Sequence, residues 1–135
     1  MYTSKIFVTV DIILHKCNKI LLIKRLKDPF KDCWALPGGF VDENEDLEEA
    51  AKRELLEETS INVDTLEQIG AFGKPFRDPR HHTVSIAFYG KVPDETIAIA
   101  GDDAKEAYWF SINDLPELAF DHEEIIDKAI QIINK

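Results

Sequence analysis

The sequence lacks any surplus of positive charge. Twenty-six acidic residues face sixteen basic ones, a formal net charge of -10 over 135 residues. A protein that grips nucleic acid through its phosphates needs the opposite balance, so no nucleic-acid partner is expected. A phosphate-bearing small molecule stays possible, provided metal ions supply the missing positive charge. Cysteine is scarce. Cys17 and Cys33 form no metal-ligand spacing such as CxxC, and free thiols in a reducing compartment are the simplest reading. Long apolar runs are absent too. The start, MYTSKIFVTVDIILHK, is interrupted by Asp11 and lacks a basic region before a clean apolar stretch. Neither a secretory signal nor a transmembrane span is expected, and the chain reads as soluble, cytoplasmic and without membrane contact. There is no internal repeat, low-complexity segment or linker. The length suits one domain over residues 1–135, and a hydrophobic fraction of 44% suffices for one core.

The acid that is present is unevenly placed. From Asp42 to Glu58 nine carboxylates are offset only by Lys52 and Arg53, so this segment carries -7 of the net charge. Elsewhere the pattern is that of a folded domain. Ile6 to Leu14 reads as a strand, His15 to Asn18 as a turn and Lys19 to Lys24 as the returning strand. Residues 25–37 are loop-like, with breakers at Pro29 and Pro37. A helix is expected from Asp46 to about Thr59, with Asp46 and Glu49 spaced as a capping pair and Asn44 as a rival cap. Strands are expected at about Val63–Phe72, Thr83–Val92 and Ala104–Phe110. A last helix should start at Asp121 with Glu124 as capping partner, and Ile125, Ile126, Ala129, Ile130 and Ile133 give it an apolar stripe. Strands, helix, strands, helix imply a mixed sheet covered by helices, an α/β sandwich.

Glu54, Glu57 and Glu58 share one face of the first helix, at i, i+3, i+4. At about 100° per residue, with Glu54 at zero, Leu47 falls near 20°, Ala51 near 60° and Glu58 near 40°. Acids and apolar residues therefore lie on the same side, where an ordinary amphipathic helix would separate them. Carboxylates crowded beside an apolar face either raise their pKa values or take up a counter-ion. Three of them suit a hard, oxygen-seeking cation such as Mg²⁺ or Mn²⁺. The alternative is a solvated acidic face. Arg53, beside Glu54 and four residues before Glu57, is placed to hold the carboxylates in register. Gly38 and Gly39 upstream would let backbone pass close to the site and aim a carbonyl at it.

Together these residues resemble the Nudix box, G-x5-E-x7-R-E-U-x-E-E-x-G-U, where U is bulky and aliphatic. Here Gly39 is followed by five residues, Glu45, seven residues, and Arg53-Glu54-Leu55-Leu56-Glu57-Glu58-Thr59-Ser60-Ile61. The one departure is Ser60, where the family has the Gly that ends the helix. The resemblance implies a Nudix-type α/β/α sandwich with a mixed sheet. It implies that Glu54, Glu57, Glu58 and the Gly38 carbonyl ligate Mg²⁺ or Mn²⁺. Arg53 and Glu45 orient the helix and its loop, and Arg53 joins the three glutamates in the catalytic set. A further acid, Asp102, Asp103 or Glu106, is expected from a later loop.

The substrate rests on other residues. Phe72-Gly73-Lys74-Pro75-Phe76-Arg77-Asp78-Pro79-Arg80 resembles the RDPR loop of ADP-ribose pyrophosphatases and related Nudix domains. Pro75 lies 15 residues after Ser60, as a marker proline does there, and Leu118-Ala119-Phe120-Asp121-His122 resembles the same branch. Arg77 and Arg80 are expected to bind phosphate or ribose as forked donors, or else to pair with Asp78. Phe72 and Phe76 stack on adenine or line its pocket, unless Phe72 is core. Gly39 belongs with Phe72, Arg77 and Arg80 in the substrate-binding set, and His122 is a pocket or packing residue. Trp109 and Phe110 are read as core. The expected reaction is hydrolysis of ADP-ribose to AMP and ribose 5-phosphate. The rivals are pyrophosphohydrolysis of nucleoside triphosphates, oxidised ones included, and a non-catalytic ADP-ribose-sensing domain. The sensor is disfavoured by the complete set of box acids, and by the expectation that no room remains after Lys135 for a DNA-binding module. A homodimer is plausible by analogy with related pyrophosphatases.

Overall fold

A computed structural model describes residues 5–134. β1 (Phe7–Lys16) and β2 (Lys19–Arg25) form a hairpin around Cys17 and Asn18. Both turn residues have positive φ, 48° and 28°, as the tight turns that match strand twist require. β1 is the centre of the sheet. It runs parallel to β6 (Thr83–Lys91) from Phe7 to His15, and with β3 (Trp34–Ala35) and β5 (Glu67–Phe72) the sheet order is β3-β2-β1-β6-β5. Its burial from Val10 through His15 on both faces follows from that central position.

β1 and β2 pair directly only at His15–Ile20 and Lys16–Lys19, then diverge. β3 (Trp34–Ala35) takes up β2 at Ile23 and Lys24. β4 (Gly38–Phe40) takes up β1 at Thr9–Asp11. The Leu36-Pro37 link thus lies in the wedge between the two long strands, and this wedge becomes the floor of the cleft described below. β7 (Ala104–Ser111) lies antiparallel along β2, and β5 (Glu67–Phe72) along β6.

One helix covers each face. α1 (Leu47–Thr59) packs Ala50, Ala51 and Leu55 on Val10, Ile12, Leu14 and Leu21. α2 (His122–Ile133) packs Ile125, Ile126 and Ala129 on Ile13, Ile20, Leu22 and Ala87. Leu55 is wholly buried, a contribution of about 1.5–3 kcal/mol. The result is the α/β/α sandwich with a mixed sheet that the element order implied. Trp109 and Phe110 pack against the two cores, as expected. Among the described residues no helix is long and apolar enough to cross a membrane.

The helix starts differ from their local signals in one case. Asp46 caps α1, its side chain accepting from the Glu49 N–H, while Asn44 sits at φ 63° before it. Asp121 precedes α2 but its side chain makes no capping bond, because both its oxygens accept from Arg77. The strand expected from Val63 begins only at Glu67. Val63 and Leu66 pack against the α1 core instead, and the Leu66 N–H donates to Glu48. Ser60 ends α1 at φ 62°, in the left-handed conformation that glycine adopts more readily.

Candidate active site

The three glutamates of α1 face three environments. Glu58 is only 7% exposed, and its Oε1 accepts the Gly38 N–H at 2.7 Å. Glu54 stands against Gly39, where any Cβ would come within 2.5 Å of its carboxyl carbon. This close approach is why glycine is needed there. Glu57 is exposed. Glu54 and Glu58 thus point where the helical phase placed them, into the fold and not away from it.

Arg53 ties this face together. Its Nε and Nη2 donate to the two Glu45 oxygens at 2.7 and 2.9 Å. Its Nη1 donates to Glu54 at 2.8 Å and to Glu57 at 3.3 Å, and Nη2 also reaches the Phe40 carbonyl at 3.1 Å. The Arg53 hydrogen bonds, with the Asp42 N–H, hold the Glu45 carboxyl down at about 2. Burial raises Glu54 despite Arg53. Burial pushes Glu58 up to about 8, against the Gly38 hydrogen bond and helped by the charges of Glu54, Asp11 and Asp103. Among the described residues no three carboxylate, histidine or cysteine groups stand as a ready-made metal cage; the N–H groups of Arg53 and Gly38 hold these oxygens instead.

These residues form one wall of a cleft of about 350 Å³. Gly38, Gly39, Glu54, Glu57 and Glu58 line it, as do Arg77, Asp78, Arg80 and His122 from across the fold, with Asp102 and Asp103 also on its lining. The structure therefore gathers most of the expected site residues, although they come from separate stretches of chain. Arg77 is buried, and its fork is bonded to both Asp121 oxygens. Arg80 is bonded to Asp78 through Nε and Nη2 at 3.1 and 2.8 Å. His122 Nδ1 accepts the Leu36 N–H at 3.0 Å. Its Nε2 faces Asp11 at 3.5 Å, and burial lowers its pKa.

Some expectations are corrected. Phe72 does not line the cleft. It packs in the α2 core with the Lys128 ammonium 5.8 Å from its ring centre, because the last residue of β5 points to the helix-covered face. Phe76 is 92% exposed and also outside the cleft lining. Glu106 pairs with Lys24 on the surface of β7 and is absent from the cleft. Arg53 is outside the lining, in keeping with the orienting role expected of it, and bonds Glu45, Glu54 and Glu57. Among the lining residues, Asp11, Arg25 and Phe40 were not assigned to the site from sequence, and Phe120 was named only as part of the Leu118–His122 stretch. Asp11 had left a signal, a lone acid inside an apolar strand. Its carboxylate is buried and bonded to the Ser85 hydroxyl.

The NUDIX domain model matches residues 5–129. The chain belongs to the Nudix family. This Nudix domain is 54% identical to an ADP-ribose pyrophosphatase of Methanocaldococcus jannaschii over 119 residues, which cover 88% of the chain and 70% of that relative. It superposes on the NUDIX domain of Shewanella oneidensis NrtR complexed with ADP ribose with a TM-score of 0.88, at 31% identity, covering 97% of this chain and 90% of that one. It also superposes on a bifunctional NMN adenylyltransferase/ADP ribose pyrophosphatase of Francisella tularensis, complexed with AMP and a manganese ion. There the TM-score is 0.87 at 32% identity, with 96% of this chain covering 42% of that one.

Nudix hydrolases depend on divalent metal ions, and the residues here fit one. The glutamates of α1 are hard oxygen donors, the type such ions prefer. Gly39 has no Cβ to separate helix from strand. The Ile12 N–H bonds the Pro37 carbonyl and the Val41 N–H the Val8 carbonyl, so the alternation of the ladder turns the Gly38 peptide groups away from β1, toward Glu58. The raised pKa of Glu58 marks a carboxylate without its counter-charge.

Proposed function

We propose that this Nudix domain hydrolyses the diphosphate linkage of ADP-ribose to AMP and ribose 5-phosphate, with Mg²⁺ as the working ion and Mn²⁺ as a substitute. The observation that carries this is the composition of the cleft. Glu54, Glu57, Glu58 and Gly38 stand on one wall, with Arg77, Asp78 and Arg80 on another. The 54% identity to an ADP-ribose pyrophosphatase supports the same substrate.

Glu54, Glu57, Glu58 and the Gly38 carbonyl would hold the ion. When bound, the ion neutralises the diphosphate, polarises a phosphorus and lowers the pKa of a water. Glu57 or Glu58 takes the proton of that water. Arg53 keeps Glu54 and Glu57 in register through its Glu45 anchor. Gly39 lets the helix carboxylates approach the strand on which substrate rests. Asp102 or Asp103 is the further acid, since both line the cleft. Arg80, more exposed than Arg77, is the substrate-facing arginine of the loop; Arg77 holds that loop to α2. The net charge of -10 directs the site to small nucleotides and away from nucleic acid.

The test is a turnover screen over nucleoside diphosphate sugars, dinucleotides and nucleoside triphosphates with Mg²⁺ and with Mn²⁺, in which the phosphomonoester and pyrophosphate products are separated and identified by chromatography. Fastest turnover of ADP-ribose is expected. Faster turnover of dGTP or its 8-oxo form would replace this reading with triphosphate pyrophosphohydrolysis.

A further inference from the structure

Four basic side chains of Lys and Arg line the cleft: Arg25, Lys27, Arg77 and Arg80. Three have a carboxylate within the protein. Lys27 stands 3.6 Å from Asp103, Arg77 is forked onto Asp121, and Arg80 is bonded to Asp78. Among the described residues Arg25 has none. Its one side-chain hydrogen bond among them runs from Nε to the Pro29 carbonyl at 2.7 Å, which leaves both terminal nitrogens of the fork without an acceptor among the described residues.

The surroundings hold that fork in place. Arg25 ends β2 where the pairing with β7 slips between Lys24 and Arg25, an irregularity of the kind that re-aims a side chain. Its backbone is fixed on both sides, the N–H donating to the Cys33 carbonyl and the carbonyl accepting from the Asp32 N–H. The guanidinium lies 5.0 Å from the centre of the Phe120 ring, which itself lines the cleft and packs on Phe30. Burial and the neighbouring Arg80 lower the pKa of Arg25. A partly desolvated guanidinium, immobilised at Nε and open at both ends of its fork, is pre-organised for a bidentate anion.

We infer that Arg25 is a substrate-binding residue whose free fork takes phosphate oxygens of the diphosphate, on the wall of the cleft next to Phe120. This rests on the cleft being the nucleotide site proposed above. It also divides the work among the cleft cations. Arg77 is held by Asp121 and shapes the loop. Arg80 must share its charge with Asp78. Arg25 alone meets the anion uncommitted.

The test compares wild type, Arg25→Ala and Arg25→Lys. With ADP-ribose and Mn²⁺, Arg25→Ala should raise KM about 10- to 100-fold while kcat falls less, the loss expected for one bidentate charged contact. Arg25→Lys, which keeps the charge without the fork, should fall between. Calorimetric binding of AMP and of ribose 5-phosphate gives a readout independent of turnover. Weakened binding of either phosphate ester, with adenosine binding unchanged, supports the assignment. An unchanged KM with unchanged binding overturns it. An equal loss for adenosine and the phosphate esters also overturns it, because Arg25 would then only brace Pro29 and Phe120. If wild type itself fails to turn over ADP-ribose, the proposed substrate is wrong, and the binding series still reads Arg25 alone.

Discussion

Two carboxylates, one from each helix region, are largely shielded from solvent in opposite electrostatic conditions. Asp121, at the start of α2, is met by the fork of Arg77. Glu58, near the end of α1, receives one N–H from Gly38, and burial pushes it up to about 8. A charge matched inside the chain is part of the architecture. A buried carboxylate left unmatched marks where a cation from outside belongs. The same molecule thus contains a finished ion pair and an unfinished one, and the unfinished one lies in the family's catalytic motif.

The largest effect expected from this contrast is in pH dependence. Glu58 has a folded pKa of about 8 against an ordinary 4.5, so between those values the folded state holds a proton that the unfolded chain has lost. Stability of the metal-free protein is therefore fullest below about pH 4.5 with respect to this group, and falls as pH rises toward 8. The loss is at most about 5 kcal/mol. Denaturant unfolding in the presence of a chelator, run from pH 5 to 8, should show this slope. Glu58→Gln should flatten it; a slope that survives the substitution would assign it to another group.

Asp121 should behave in the contrary way. Asp121→Ala strands the buried Arg77 charge and should cost about 3–5 kcal/mol by denaturant unfolding. The comparison can be sharpened with Asp46, which precedes α1 as Asp121 precedes α2. Asp46 makes a local cap to Glu49 N–H, and Asp46→Ala should cost only about 1 kcal/mol. Equal losses at the two aspartates would mean that the Arg77 pair adds nothing beyond an ordinary helix start.

That pair also marks the limit of what could be read from sequence. Asp46–Glu49 and Asp121–Glu124 have the same spacing, and both predicted a helix start correctly. Only the first acts as a side-chain cap. The diversion of Asp121 to Arg77 spans 44 positions in the chain, and no local pattern records it. The extent of α1 and the inward aim of Glu54 and Glu58 were legible because helical phase alone sets them. The α/β/α order was legible from period and breakers. The wall residues Arg25 and Phe40 were not, because their role depends on which strands diverge and what fills the wedge; Phe120 was legible only as a member of the Leu118–His122 stretch. Phe72 was misplaced for a related reason. A strand-end phenylalanine faces the cleft or the core according to the face on which α2 packs. Asp11 was visible as an acid in an apolar run, but its partners Ser85 and His122 come from two other elements.

The most direct test of the account is the turnover of ADP-ribose by Glu58→Gln beside its thermal unfolding midpoint. The account predicts a fall in kcat of at least about a hundredfold, the scale of losing one pre-organised charged group from a reaction site, with the midpoint at neutral pH unchanged or higher. Near-wild-type turnover in a folded Glu58→Gln protein would contradict it.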